Sequence, residues 1–358
     1  MRDYGSDPIR IGVVGAGIVG QLAHIANFNN LEYCRVVGIA ELREGLRDRV
    51  KAKYDIPRGY ASHVELLADP DIEAVVVITM RSALGPIVCD ALRAGKHVFS
   101  EKPLAHNTVQ AEEVLALARA QNRHLRVGYM KRYDPGVVAV QNMLKKDEVT
   151  DQLGCLRSIS VSSHGGDFWR HCKEFEMTDE PKPKGLALWD THPTWLESNL
   201  RAGYADFANV FIHALNMIRL FAPADLQIHQ SRFSSPVAGR IELFSGKIPV
   251  KLVFSNKISG DWRERYELFF DHSTITIDMP APMDRNACAQ VSSTPGLDAL
   301  DIPIDALTGW AFHKQAGGFI DLVASDKDFA AGFDDPLDDI KVVEDIWRNV
   351  TARPGHFV

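Results

Sequence analysis

Gly15-Ala16-Gly17-Ile18-Val19-Gly20 follows directly on the apolar run Ile9–Val14 and opens a helical pattern from about Ile18 to Phe28. A G-x-G-x-x-G in that position is a strand–turn–helix hinge. Its glycines let the backbone turn tightly and approach a pyrophosphate, whose charge the helix N-terminus favours. The glycines could equally form a tight turn and nothing more. The context argues otherwise, because a second apolar strand, Arg35–Ala40, ends on Glu41, 21 residues beyond Gly20. An acidic side chain there accepts hydrogen bonds from ribose hydroxyls and repels a 2′-phosphate, which favours NAD over NADP. Arg43, two residues on, could instead meet such a phosphate.

Downstream of the hinge, short apolar runs keep alternating with amphipathic stretches as far as residue 128. Strands are expected at 74–79, 96–100 and 125–129, and helices near 87–94 and 109–120. This is the rhythm of βαβ units and a parallel sheet buried on both faces. Asp134-Pro135-Gly136 then punctuates the chain, and the expected domains are 1–130 and 131–358. The second half reads as α+β. Partly alternating runs at 156–163, 227–233, 240–244, 250–254, 266–270 and 274–278 suggest an antiparallel sheet, with helices at 207–221 and 312–324. The polar, aromatic stretch from Gly165 to Gly203 is a long connection, a kind that is often functional.

Composition narrows the function classes. With 358 residues the chain is long enough for two cores, and a net charge of -7 argues against nucleic acid as the main partner. The five cysteines (Cys34, Cys89, Cys155, Cys172, Cys288) are scattered and odd in number, which fits reduced thiols and a cytoplasmic protein. Histidines such as His24, His63 and His164 show no metal-ligand spacing, so no metal is expected. No apolar run reaches the roughly 18 residues of a membrane span, and from the polar N-terminus no secretory signal is expected.

Ala94-Gly95-Lys96-His97-Val98-Phe99-Ser100-Glu101-Lys102-Pro103-Leu104 closely resembles a signature of the Gfo/Idh/MocA oxidoreductases, which include inositol dehydrogenases and glucose–fructose oxidoreductase. Val127 to Pro135 resembles that family's crossing between domains, and Asn209 to Asn216 lies where its members carry an Asp-x-x-x-His-x-x-Asp pattern. The resemblance implies a Rossmann domain followed by an α+β domain with an open, mostly antiparallel sheet that commonly forms subunit contacts, hence a homodimer or homotetramer. It also implies that Thr79, Met80, Arg81, Glu101 and Lys102 lie along the cofactor. Three departures stand out: Asn209 and Asn216 replace carboxylates, Thr79-Met80-Arg81 replaces Thr-Pro-Asn, and Leu84 replaces a histidine.

Hydride exchange between a secondary alcohol and nicotinamide needs a group to take or return the hydroxyl proton. Lys102, at a strand end facing the crevice of an open α/β sheet, is the first candidate, since partial desolvation would lower its pKa. His213 is the second. Asn209, His213 and Asn216 fall at i, i+4 and i+7 and share one helix face, which suits either the wall of a cleft or a hydrogen-bonded core histidine. Because Asn209 is an amide, it can orient His213 without charge, so Lys102 is favoured as acid/base. Arg132 and Tyr133 could contact nicotinamide or substrate hydroxyls, while Trp169, His171 and Trp189 could stack on a sugar or pack the connection. The expected function is NAD(P)-dependent oxidation of a sugar, aminosugar, glycoside or cyclitol hydroxyl. The alternatives are a glycosidase working by transient oxidation on tightly held NAD, and a catalytically silent cofactor-sensing protein.

Overall fold

A computed structural model describes residues 7–169, 172–181, 184–257, 259–295, 308–325 and 336–352. The chain folds into two compact units that are interleaved in sequence. Unit 1 takes Met1–Gly128, Cys172–Pro193 and Phe312–Leu337; unit 2 takes Tyr129–His171, Thr194–Ala311 and Asp338–Val358. The expected cut after residue 130 lies close to the one at Gly128. Two later segments return to unit 1, however, so the units are not consecutive halves.

Unit 1 carries a six-stranded sheet in the order β3-β2-β1-β4-β5-β6, with every pair parallel. Its strands are β1 (Ile9–Val14), β2 (Cys34–Ala40), β3 (Arg58–Tyr60), β4 (Ala74–Val77), β5 (His97–Ser100) and β6 (Leu125–Val127). This is the doubly wound order, with helices crossing over between parallel strands. β4 is Ala-Val-Val-Val with all four residues buried, as a strand covered on both faces requires. The helices are α1 (π-helical over Gly20–Ile25, then α-helical over Ala26–Asn29), α2 (Glu44–Lys53), α3 (His63–Leu67), α4 (Arg81–Arg93) and α5 (Thr108–Ala120). α9 (Ala311–Val323) also packs here, with the Phe319 ring 6.2 Å from Phe28 and 5.6 Å from Phe99. α4 begins at Arg81, ahead of the expected start near Ile87, and runs through Pro86. Proline lacks the N–H that would bond the Ser82 carbonyl one turn back. The backbone N–H of Trp189 takes that carbonyl instead, at 2.7 Å.

Unit 2 is built on a seven-stranded sheet ordered β13-β12-β11-β7-β10-β9-β8. The strands are β7 (Leu156–Gly165), β8 (Leu226–Ser235), β9 (Ala238–Ser245), β10 (Ile248–Lys257), β11 (Arg263–Phe270), β12 (Thr274–Asp278) and β13 (Gln290–Thr294). Only β7 and β10 pair in parallel, so the sheet is mostly antiparallel, as expected. From Ile159 to Gly165 in β7, buried and half-buried residues alternate, which leaves a single face for the core. Helices α6 (Pro135–Met143) and α7 (Asp147–Leu153) precede the sheet, and α8 (Arg201–Phe221) and α10 (Pro336–Thr351) supply core side chains. Tyr204, Phe207, Phe211, Leu215 and Ile218 recur at helical spacing along α8 and are all buried. Trp347 of α10 packs against Tyr204, Phe207 and Phe233. Among the described residues no helix is long and apolar enough to cross a membrane, and no group of three His, Cys, Asp or Glu is placed to hold a metal.

Candidate functional site

The glycine hinge between β1 and α1 is dictated atom by atom. Gly15 has φ 102°, and a Cβ there would lie 2.0 Å from the Ile78 carbonyl oxygen at the end of β4. Only glycine meets both demands. A Cβ on Gly20 would stand 3.0 Å from the Gly15 carbonyl, which holds helix and turn close together. Gly17 differs, because a Cβ on it would meet nothing within 4 Å. Its bare backbone faces open space, the arrangement that lets a pyrophosphate approach the chain.

That space belongs to a cavity of about 430 Å³ at the C-terminal ends of β1, β2 and β4. Gly15, Gly17, Ile18, Val19, Gly20, Glu41, Thr79 and Met80, all expected there, line it. So does Arg43, which the sequence left open as a phosphate contact, and so do Ser62, His63 and Leu186, which sequence reasoning did not place in a binding wall. Ser62 had a readable signal: its side chain caps α3 by accepting the Glu65 N–H at 3.2 Å, a Ser-x-x-Glu start. Leu186 had none, since it arrives on the long connection.

Glu41 is 6% exposed. Its Oε2 accepts the Ala16 N–H at 3.0 Å, and its two oxygens accept Nε (2.9 Å) and Nη2 (3.0 Å) of Arg43. Burial pushes the Glu41 carboxyl up, but the hydrogen bonds from Arg43 and Ala16 outweigh this and hold it below the usual carboxylate range. Arg43 is therefore a partner of Glu41, with its own pKa raised chiefly by that hydrogen bond.

At the next strand over, Glu101 and Lys102 follow directly on β5. His24, on the π-helical turn of α1, meets the Glu101 carboxylate at 2.7 Å, and the Lys102 N–H donates to the other Glu101 oxygen at 3.0 Å. Burial raises the Glu101 pKa, but the His24 hydrogen bond, the His24 charge and the Lys102 charge and N–H bring it below normal. Glu101 thus fixes the backbone that presents the half-buried Lys102 side chain. Arg81 begins α4 and lies near enough to His106 to act on it. Burial first, then the charges of Arg81 and His192, push His106 down to about 4.

Within unit 2, Asn209 and His213 are half-buried, whereas Asn216, at 1% exposure, turns into the interior. Asn216 accepts from Arg132 Nε at 2.6 Å and donates to Asp339 of α10 at 2.7 Å; Arg219 completes the set by donating to Asp339 at 2.8 Å. The Tyr129 ring meets His213 edge-on at 6.2 Å. Burial, with the nearby Asp339 charge, drives the Tyr129 hydroxyl well above its ordinary value. Asp339 itself is raised by burial in spite of Arg219. Tyr133 is half-buried at the end of a short 3-10 turn, and Trp169 is 46% exposed beside Phe168. His171 lies outside the described residues. A second buried pair, Lys131 and Glu264 at 2.5 Å, was not anticipated.

Residues 9–129 match the family model GFO_IDH_MocA, an oxidoreductase family with an NAD-binding Rossmann fold. Inositol 2-dehydrogenase of Salmonella typhimurium is 30% identical over 149 residues, covering 40% of this chain and 44% of that protein. The chain spans about half the length of the curated relatives it matches. Among the solved structures that match across 96% of the chain, two are informative. They are apo scyllo-inositol dehydrogenase from Lactobacillus casei (17% identical, TM-score 0.70, 96% of that chain) and KijD10, a 3-ketoreductase from Actinomadura kijaniata in complex with NADP and TDP-benzene (19%, 0.69, 98%). At these identities the likeness is one of fold.

Proposed function

From the match of residues 9–129 to the Gfo/Idh/MocA oxidoreductase family model, we propose an NAD-dependent dehydrogenase that acts reversibly on a secondary hydroxyl of a sugar, aminosugar, glycoside or cyclitol. The observation that carries this reading is the cavity beside Gly17, where backbone amides, an open face and the acidic Glu41 meet at the C-terminal edge of a parallel sheet. These residues suit a dinucleotide: the hinge and the start of α1 hold the pyrophosphate, and Glu41 receives the ribose hydroxyls. A nicotinamide held there would supply the hydride acceptor for oxidation and the hydride donor for reduction. Lys102, held at its backbone by Glu101 and backed by His24, takes the hydroxyl proton through Nζ during oxidation and returns it during reduction. His213 and Asn209 orient the substrate hydroxyl.

The test is absorbance of reduced nicotinamide with a panel of sugars and cyclitols. Net reduction of NAD by wild type is expected, with kcat lowered at least ~10²-fold in Lys102→Met at unchanged NAD affinity. Glycoside cleavage without net reduction, or activity within a few-fold of wild type in Lys102→Met, would overturn the assignment. Tighter binding of NADP than of NAD would overturn the role given to Glu41.

A further inference from the structure

The segment Cys172–Pro193 folds with unit 1, where it is tied down at several points. Gln21 of α1 donates to the Glu176 carbonyl at 3.0 Å and accepts the Glu176 N–H at 2.7 Å. Trp189 occupies the notch left by Gly85 and Pro86 in α4; a Cβ on Gly85 would stand 2.2 Å from its ring. Between these anchors, Leu186 lines the cavity, and Glu180 reaches the start of α2.

The Glu180 contacts are those of a bound anion. One oxygen accepts the Gly45 N–H at 3.0 Å and the other accepts the Leu46 N–H at 3.0 Å. The Thr178 hydroxyl donates to the same carboxylate at 2.7 Å. Arg43 and Arg49 face it, each near enough for its charge to be felt. Arg43 follows Glu41 by two residues and borders the same cavity. A phosphate on the ribose that Glu41 receives would project past Glu41 toward Arg43 and the first amides of α2, the cationic and dipolar features that welcome an anion.

We infer that Glu180 is a specificity-determining residue: carried in by the Cys172–Pro193 segment, its carboxylate occupies the anion position that a 2′-phosphate would take, and so excludes NADP. This rests on the dinucleotide reading above. Glu41 neutralises Arg43 from one side and Glu180 fills the α2 terminus from the other, so an incoming phosphate finds two carboxylates where it needs two cations. Rejection works by repulsion of the wrong ligand while contacts to the right one stay as they are. Because the same carboxylate tethers the segment, NADP could enter only by breaking that tether.

The experiment titrates the full chain with NAD⁺ and NADP⁺ by calorimetry, comparing wild type, Glu180→Gln and Glu180→Asp. Wild type is expected to prefer NAD⁺. Glu180→Gln should tighten NADP⁺ binding about tenfold or more, the scale of removing one near charge, with NAD⁺ affinity within about threefold. Glu180→Asp keeps the charge and should keep the discrimination, which separates electrostatics from a loosened segment. An unchanged NADP⁺/NAD⁺ ratio in Glu180→Gln, or equal relaxation in both variants, overturns the role of Glu180 alone. Failure of wild type to bind either dinucleotide overturns the dinucleotide reading, and this inference with it.

Discussion

Unit 1 and unit 2 build their polar sites from different materials. The polar sites of unit 1 rest largely on backbone: the glycine hinge, the open face of Gly17, and carboxylates that accept main-chain N–H groups from Ala16, Lys102, Gly45 and Leu46. The interior of unit 2 is polar mainly through side chains that pair with one another: Lys131 with Glu264, and Arg132, Asn216, Arg219 and Asp339 in one network. The hinge at the heart of the first kind is specified by glycines within six residues of one another, Gly15 to Gly20. The second needs partners 84 to 133 residues apart, and it exists only once α8, α10 and the sheet have packed. A main-chain site can tolerate the loss of many side chains but not the gain of a methyl group. A side-chain network has the opposite sensitivity, since truncating one partner strands another in low dielectric.

The contrast breaks hardest at Glu264. Its Glu264→Ala variant leaves Lys131, 7% exposed at its side chain, buried without its counter-ion. Destabilisation of about 3–5 kcal/mol in denaturant unfolding is expected. A loss under about 1 kcal/mol would mean that solvent reaches the pair and that unit 2 does not depend on buried charge.

In unit 1 the matching change adds one methyl group. Since nothing lies within 4 Å of a Cβ on Gly17, Gly17→Ala should melt at the wild-type temperature. It should nevertheless bind NAD⁺ about 100-fold more weakly, because the methyl stands where the pyrophosphate approaches. Gly15→Ala, by comparison, should lose both binding and stability, with the Ile78 carbonyl 2.0 Å away. Equal NAD⁺ affinity in wild type and Gly17→Ala would remove the hinge from the binding site.

Acid should separate the units by a smaller margin. Burial, together with neighbouring positive charge, pushes His97 and His106 of unit 1 down to about 4. The unfolded chain binds these protons near pH 6.5, so the stability they carry is complete above that pH and is lost as pH falls from 6.5 through about 4. For the buried His106 the loss is on the order of 3 kcal/mol. In unit 2, Asp134 and Asp339 are both raised by burial, so acidification relieves a cost there. Hydrogen exchange between pH 7 and pH 4.5 should therefore show β5 and the start of α5 loosening before α8 and α10. Simultaneous loosening would mean that the two units share one cooperative transition.

How far the sequence could be read follows the same division. The hinge, Glu41 and five of the six strands of unit 1 were legible because parallel strands announce themselves as continuous apolar runs and the glycines carry their own geometry. β3 was missed: three residues at a sheet edge make no periodic signal. α10 was missed although Ile340, Val343, Trp347 and Val350 repeat at helical spacing. The polar face of α8 was seen, but not that Asn216 would leave it for Asp339.

By itself, the sequence determined that a dinucleotide-type hinge lies between β1 and α1, that a parallel sheet follows, and that a mostly antiparallel sheet comes after it. Each of these rests on local backbone geometry or on side-chain period. Only the tertiary structure decided that Cys172–Pro193 returns to unit 1, that Glu180 caps α2, that His24 holds Glu101, and that Asp339 supplies the carboxylate facing Asn216. Those contacts join residues from 77 to 155 positions apart. Nothing in the chemistry of either partner names the other. The pairing is settled when packing buries a charge or an amide, and the one group within reach has to satisfy it.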